Sequence, residues 1–231
     1  VSEEHTRLPS LAVVGGTGEQ GRGLALRWSA AGYPVTVGSR SSDRAGTEVE
    51  KLNNLHPGVK LLADDNKGAA AGADIIVLAV PYAFQQSTIE SIATCLDGKI
   101  LIDVTVPLVP PKVARVQLPE SGSAVVNVQN ILGDNVRVVS AFQNVSAHHL
   151  NNLSQTIECD VLVCGDDIKA REETIKLVVA AGMRGIHGGP LVNSVVAEAL
   201  TSVLIGINRR YKIPGAGIVI TGLPDGSETE H

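Results

Sequence analysis

The chain has 231 residues, 44% hydrophobic and 19% charged, which is enough apolar material for one sizeable core and excludes a disordered or fibrous protein. Its formal net charge of −5, from 19 Lys and Arg against 24 Asp and Glu, argues against a broad phosphate-binding face and against nucleic acid as the main partner. Aromatics reach only 3% while glycines number 24, a balance that favours closely packed α/β structure over an aromatic-rich sandwich.

Cys95, Cys159 and Cys164 are too few and too irregularly spaced for a disulfide framework or a zinc site, and are expected to behave as small buried hydrophobes. No uninterrupted apolar run reaches the roughly 18 residues of a membrane span. The opening VSEEHTRLPS carries acids where a leader would carry a basic region. A cytoplasmic protein with no membrane partner is expected.

Short apolar runs at Leu11–Val14, Val35–Val37, Ile75–Val80, Ile100–Val104, Val136–Ala141 and Val161–Cys164 lack polar alternation and are bounded by Gly, Asp or Pro, the mark of strands buried on both faces. Helical stretches are expected between them at Gln20–Ala31, Asp43–Leu55, Asn66–Ala71, Ala83–Cys95, Ser123–Leu132 and Asp167–Ala181. This alternation calls for right-handed crossovers and a doubly wound, mostly parallel Rossmann-type sheet. The four prolines of Pro107–Pro119 predict an irregular excursion. Asn193–Arg210 reads as a long helix capped by Asn193, with an apolar stripe at Val196, Leu200, Val203, Leu204 and Ile207 that needs a partner. Gly217–Leu223 is expected to form a last strand, and residues 1–7 and 224–231 are expected to fray. A single domain over 8–223 follows, with 8–132 as its main dinucleotide-binding part and 133–223 completing the sheet.

Between the first strand and first helix, Gly16, Gly18 and Gly21 form GxGxxG. In that context the first glycine permits a tight turn, the second lets the backbone approach a pyrophosphate, and the third allows close helix-on-strand packing. The helix start adds free N–H groups and a positive dipole end. At the end of the second strand, an NAD site usually carries an acid for the ribose 2′-hydroxyl. Here stand Ser39 and Arg40, with Arg44 about one turn later, groups suited to a 2′-phosphate, so NADP is favoured over NAD. Ala79-Val80-Pro81 and Val106-Pro107 fall at the carboxyl edge of the sheet, where ligands collect. Neither His148-His149, Asp64-Asp65, Asp134 nor Asp166-Asp167 makes a convincing acid–base or metal constellation, and Asp166-Asp167 reads better as a helix cap. No metal site is expected.

Several longer stretches go beyond a generic fingerprint: GGTGEQGRGLALR at Gly15–Arg27, VGSR at Val37–Arg40, VTVPLVP at Val104–Pro110, VSAFQNVSA at Val139–Ala147, DVLVCGDD at Asp160–Asp167 and GPLVNS at Gly189–Ser194. Through them the chain resembles the NADPH-dependent reductases of the deazaflavin coenzyme F420, also called F420H2:NADP oxidoreductases. The resemblance implies NADP contacts on Thr17, Gly18, Glu19, Gln20, Ser39, Arg40 and Arg44. It implies a nicotinamide side lined by Val80, Pro81, Val106 and Ala147, and a deazaflavin contact at the Ala216-Gly217 backbone. Gln143 and Val145 fall where the two rings meet. Archaeal members carry histidine at the position of Gln143, which does not titrate but can hydrogen-bond a ring carbonyl. Arg209, Arg210 and Lys212 are candidates for the deazaflavin's anionic tail.

The resemblance also implies direct hydride transfer between nicotinamide C4 and deazaflavin C5. In such chemistry the cofactors supply the reactivity and the protein supplies position, so no catalytic nucleophile is required. A homodimer would cover the second pocket. From the residues alone, two other readings stay open: an NADPH-dependent reductase of another small acceptor (a flavin, an imine or a ferric complex), and a noncatalytic NADP-binding sensor.

Overall fold

Residues 7–223 are described here from a computed structural model. Eight strands form one sheet: β1 (Leu11–Val14), β2 (Val35–Ser39), β3 (Leu61–Asp65), β4 (Ile75–Leu78), β5 (Ile100–Asp103), β6 (Arg137–Ser140), β7 (Asp160–Gly165) and β8 (Arg184–Gly189). Their spatial order is β3-β2-β1-β4-β5-β6-β7-β8, parallel throughout except for the β6–β7 pair. Helices α1 (Glu19–Ala30), α2 (Ser42–Leu55), α3 (Asn66–Gly72), α4 (Gln85–Ile92), α5 (Ala124–Leu132), α6 (Ala147–Leu150), α7 (Ile168–Ala180) and α8 (Ser194–Tyr211) complete the described chain.

The apolar runs become strands because helices cover both faces of the sheet. Every residue of β1, β4 and β5 is buried, and successive side chains alternate between two cores. Leu11, Val13, Val77 and Ile102 join Leu24 and Trp28 on one face. Ala12, Val14, Ile76 and Leu101 join Ile89 and Val125 on the other. After β3 the chain jumps back past β1 to lay down β4, so a crevice opens at the carboxyl ends of β1 and β4, the switch point of such sheets.

Four features differ from the sequence reading. β3 and β8 were not anticipated. Both are edge strands: β3 has Leu62, Ala63 and Asp65 exposed, and no residue of β8 is fully buried, so neither presents an apolar run. Gly217–Leu223 is not a strand. Ile218 O accepts the Asp160 N–H at 2.8 Å, but the Ile220 N–H turns to the Asp160 carboxylate at 2.6 Å, which ends any ladder. Asn193 does not cap α8; it closes a 3-10 turn, Leu191–Asn193, and its side chain donates to Gly188 O at 2.7 Å.

Finally, of the stripe on α8 only Leu204 is fully buried. Val196 and Val203 are exposed, whereas Ser194, Ala197, Glu198, Ser202 and Leu204 turn inward. Among the described residues, Leu191–Tyr211 is long and apolar enough to cross a membrane by length and composition. Its buried face is nonetheless polar and engaged: the Glu198 carboxylate accepts from the Ala124 and Val125 N–H groups at 2.8 and 3.2 Å and from the Ser123 hydroxyl at 2.6 Å. The Pro107–Pro119 stretch is irregular, as expected, and Asp167 caps α7 through the Ala170 N–H at 2.7 Å. The expected fraying at 224–231 and over the first six residues lies outside the described residues.

Candidate functional site

The glycine turn after β1 divides its glycines by task. A Cβ on Gly16 would lie 2.7 Å from Val13 O, and one on Gly21 would lie 2.8 Å from Gly16 Cα and 3.0 Å from Ala79 Cβ. Those two positions are closed by the protein's own backbone. A Cβ on Gly18 would meet nothing nearer than Gly15 O at 3.4 Å, so its free face opens outward. Gly18 is also the N-cap of α1 and supplies no capping side chain. The first-turn N–H groups therefore stand ready for an external acceptor, and the residues present fit a dinucleotide pyrophosphate.

Beside this turn lies a cavity of about 750 Å³ at the switch point. Gly18, Glu19 and Gln20 form one end; Val80, Pro81, Val104 and Val106 give it an apolar wall from the loops after β4 and β5. The loop after β6 contributes Gln143, Val145 and Ala147, and the C-terminal stretch contributes Ala216. Ala216 is held by its N–H to Asn208 Oδ1 at 2.6 Å, while Gly215 O is met by His149 Nε2 at 3.0 Å. Gly217 faces a smaller adjoining pocket beside Cys159, where a Cβ would come within 2.8 Å of the sulfur.

The β6 loop is held in a strained pose. Phe142 has φ +69°, a left-handed conformation costing about 1–3 kcal/mol for such a residue. Three contacts fix it: its ring meets Trp28 edge-on at 5.7 Å, and its carbonyl accepts from Gln20 Nε2 at 3.1 Å and from the Val145 N–H at 3.2 Å. The glycine turn thus grips the loop that lines the far side of the cavity.

Gln143 is buried, and its Nε2 donates to Asp103 O at 2.7 Å, while Oε1 has no partner among the described residues. One N–H of the amide thus holds the β5 end, which leaves its second N–H and the unpartnered oxygen for other partners. Asn144 repeats the arrangement, with Nδ2 on Asp160 O at 2.7 Å and Oδ1 unpartnered.

Asp103, which the sequence reading did not single out, is fully buried at the end of β5. Its Oδ2 accepts from Gln85 Nε2 at 2.6 Å and its Oδ1 from the Thr105 N–H at 2.8 Å. Burial pushes its carboxyl up to about 6 against the pull of those hydrogen bonds. A lone acid closing an apolar strand at the ligand edge was the available signal. Thr105, Thr201 and Asn208 also line the cavity unannounced.

Ser39, Arg40, Arg44, Thr17, Gly16 and Gly21 do not line this cavity. Ser39 is buried at the end of β2, and Arg40 and Arg44 are exposed beyond it with no carboxylate partner among the described residues. The nearby acids are occupied locally: Asp65 caps α3 through the Gly68 N–H at 2.7 Å, and Asp64 accepts the Asp65 N–H at 2.7 Å. Arg209 and Arg210 are exposed on the last turn of α8, away from the cavity lining, and Lys212 ends that helix in a left-handed conformation. Among the described residues no cluster of three metal-ligating side chains occurs.

A family described as "NADP oxidoreductase coenzyme F420-dependent" matches residues 10–107. The F420-dependent NADP reductase of Methanocaldococcus jannaschii is 40% identical over 221 residues, covering 92% of this chain and 98% of that protein. The F420-dependent NADP reductase of Methanothermobacter thermautotrophicus is 37% identical over 222 residues, covering 93% and 96%. A crystal structure from Arthrobacter sp. FB24 superposes with a TM-score of 0.75 at 24% identity, covering 92% of this chain and 100% of that one, which shows the shared fold. With identity of this order sustained across nearly the whole length of both relatives, the chain belongs to the family of F420-dependent NADP reductases.

Proposed function

We propose that this chain is an oxidoreductase that passes a hydride between NADP(H) and coenzyme F420, both bound in the switch-point cavity and its approaches. The observation that carries this reading is the continuity between an uncapped helix start at Gly18–Gln20 and an apolar cavity walled by Val80, Val106 and Val145. When both are bound, nicotinamide C4 and deazaflavin C5 supply the donor and acceptor of the hydride.

The residues of the chain bind, orient and keep water out. Thr17, Gly18, Glu19 and Gln20, between the closing glycines Gly16 and Gly21, would hold the pyrophosphate, and Ser39, Arg40 and Arg44 would take the 2′-phosphate. Val80, Pro81, Val106 and Ala147 would flank the nicotinamide; Ala216 and Gly217 would offer backbone to the deazaflavin. Gln143 and Val145 would set the meeting of the rings, with the free Gln143 Oε1 and Asn144 Oδ1 accepting from ring or carboxamide N–H groups. No side chain is asked to ionise in the transfer.

We assign residues 8–223 to one domain and the reaction to the cytoplasm, without a membrane or nucleic acid as partner. The exposed Val192, Val196 and Val203 share one face of α8 and its entry turn, and a second copy of the chain would cover them as a homodimer. Val196→Glu should shift the mass measured by light scattering from dimer to monomer.

The decisive test mixes purified protein, NADPH and coenzyme F420 and follows loss of the deazaflavin absorbance, with NADH in place of NADPH and FMN in place of F420 as controls. NADPH-selective bleaching is expected. Tight NADPH binding without bleaching would overturn the reading, and turnover with FMN alone would transfer it to a flavin acceptor.

A further inference from the structure

Asp103 stands where three walls of the cavity meet, and nothing in the proposed transfer uses it. Its side chain reaches Gln85, the first residue of α4, just beyond the Val80–Ala83 wall, and the N–H of Thr105 in the Val104–Val106 wall. Its main-chain oxygen holds Gln143 of the third wall. Thr105 adds a link from its hydroxyl to Val80 O at 3.5 Å. One residue therefore ties together segments that lie far apart in sequence, with its own three bonds shielded from water.

We propose that Asp103 is a positioning residue that ties these three loops into the pose that receives the rings, the Gln85 and Thr105 segments through its ionised carboxylate and the Gln143 segment through its main-chain oxygen. The proposal rests on the functional reading above for the identity of those rings.

An ionised Asp103 is an acceptor only, matched to the two N–H donors it meets. Once protonated it loses an acceptor site, and either the Gln85 amide turns over or that bond is lost. The groups facing it are Gln85 of α4, Ser140 of β6 in register beside it, and Gln143, all neutral, and Glu198 of α8, whose charge opposes its ionisation. Burial is the larger influence and brings the proton's departure to about pH 6, so the lock opens on the acid side of neutrality.

The sole tryptophan, Trp28, stacks edge-on against Phe142, the neighbour of Gln143, and reports the pose of the third wall without any ligand. In the full chain, Trp28 emission should step near pH 6. The step should vanish in Asp103→Asn and move to higher pH in Gln85→Met, which leaves the carboxylate without its donor. With NADPH and F420, Asp103→Asn should lower kcat/KM for F420 about tenfold at neutral pH and flatten its acid limb, with the NADPH dissociation constant within about twofold of the parent.

A Trp28 step and acid limb that persist unchanged in Asp103→Asn would belong to other groups and would overturn the proposal. If that variant does not fold, Gln85→Met decides: an upward move supports the lock, and an unmoved step refutes it. A Trp28 step that depends on Asp103, in a protein that does not turn over F420, would uphold the lock and sink only the F420 reading.

Discussion

The two ends of the cavity are built in opposite ways. The end proposed for the phosphates is assembled within a short stretch, β1, its turn and the start of α1, where Gly16 and Gly21 pack on backbone a few residues away or on the adjacent β4 end. The end proposed for the rings has no local code. Val80, Val106, Gln143, Val145 and Ala216 come from four separate segments, held by Asp103, by Gln20 on Phe142 and by Asn208 on Ala216. A local motif survives changes elsewhere, whereas a knot of distant loops fails wherever one tie is cut.

The largest expected effect comes from a tie outside the cavity lining. The buried Arg27 guanidinium is surrounded by the carbonyls of His149, Leu150, Asn152, Gln155 and Ala181, with bonds of 2.8–3.1 Å, and burial lowers its pKa. These bonds fix the stretch that follows Ala147 in the cavity wall. Arg27→Met leaves the buried carbonyls unpaired and should cost about 4 kcal/mol, seen as a melting temperature lower by roughly 10 °C.

Next comes the pH dependence of Asp103. Its folded value of about 6 lies above the roughly 3.9 of an unfolded chain, so the folded state holds the proton more tightly. This carboxyl's contribution to stability is complete below about pH 4 and is lost as pH rises through about 6, a change of about 3 kcal/mol. Melting curves of Asp103→Asn and the parent should therefore move in the variant's favour by about 6–12 °C between pH 4 and 7. A constant difference would show that the group titrates normally.

Arg40→Asp probes the phosphate end. Replacing a guanidinium that would meet a 2′-phosphate by a carboxylate should raise the NADPH dissociation constant about 100-fold and leave that of NADH within about threefold. Equal losses for both would place the 2′-phosphate elsewhere.

The smallest effect sharpens the contrast between glycines. Gly18→Ala has room in the protein, so its melting temperature should stay within about 1 °C of the parent while NADPH binding weakens about tenfold. Gly21→Ala meets backbone at 2.8 Å and should lower the melting temperature by several degrees even without ligand. The reverse pattern would mean that Gly18 serves packing and not a ligand.

Much of this was legible beforehand. The central strands were found because burial on both faces demands unbroken runs such as IIVL and ILID, and the glycine turn because its spacing and its place between strand and helix are local. The edge strands β3 and β8 escaped notice because an edge in contact with solvent imposes no such pattern. The longest helix was found together with an apolar stripe in need of a partner, but its buried side could not be read: there Ser194 and Glu198 meet Ser123 and the start of α5.

The sequence by itself determined the doubly wound sheet, the anion-ready turn and the Ser39-Arg40 corner, since each depends on residues adjacent in the chain. Only the tertiary structure decided that Asp103 is sealed from water, that the Gln143 amide is anchored through its nitrogen with its oxygen unpartnered among the described residues, and that the 214–220 stretch lies along Asp160 and Arg184 with no ladder of its own. Those outcomes depend on which distant groups arrive as partners. A buried polar atom takes its role from the partner that reaches it, and residue type alone does not specify that partner.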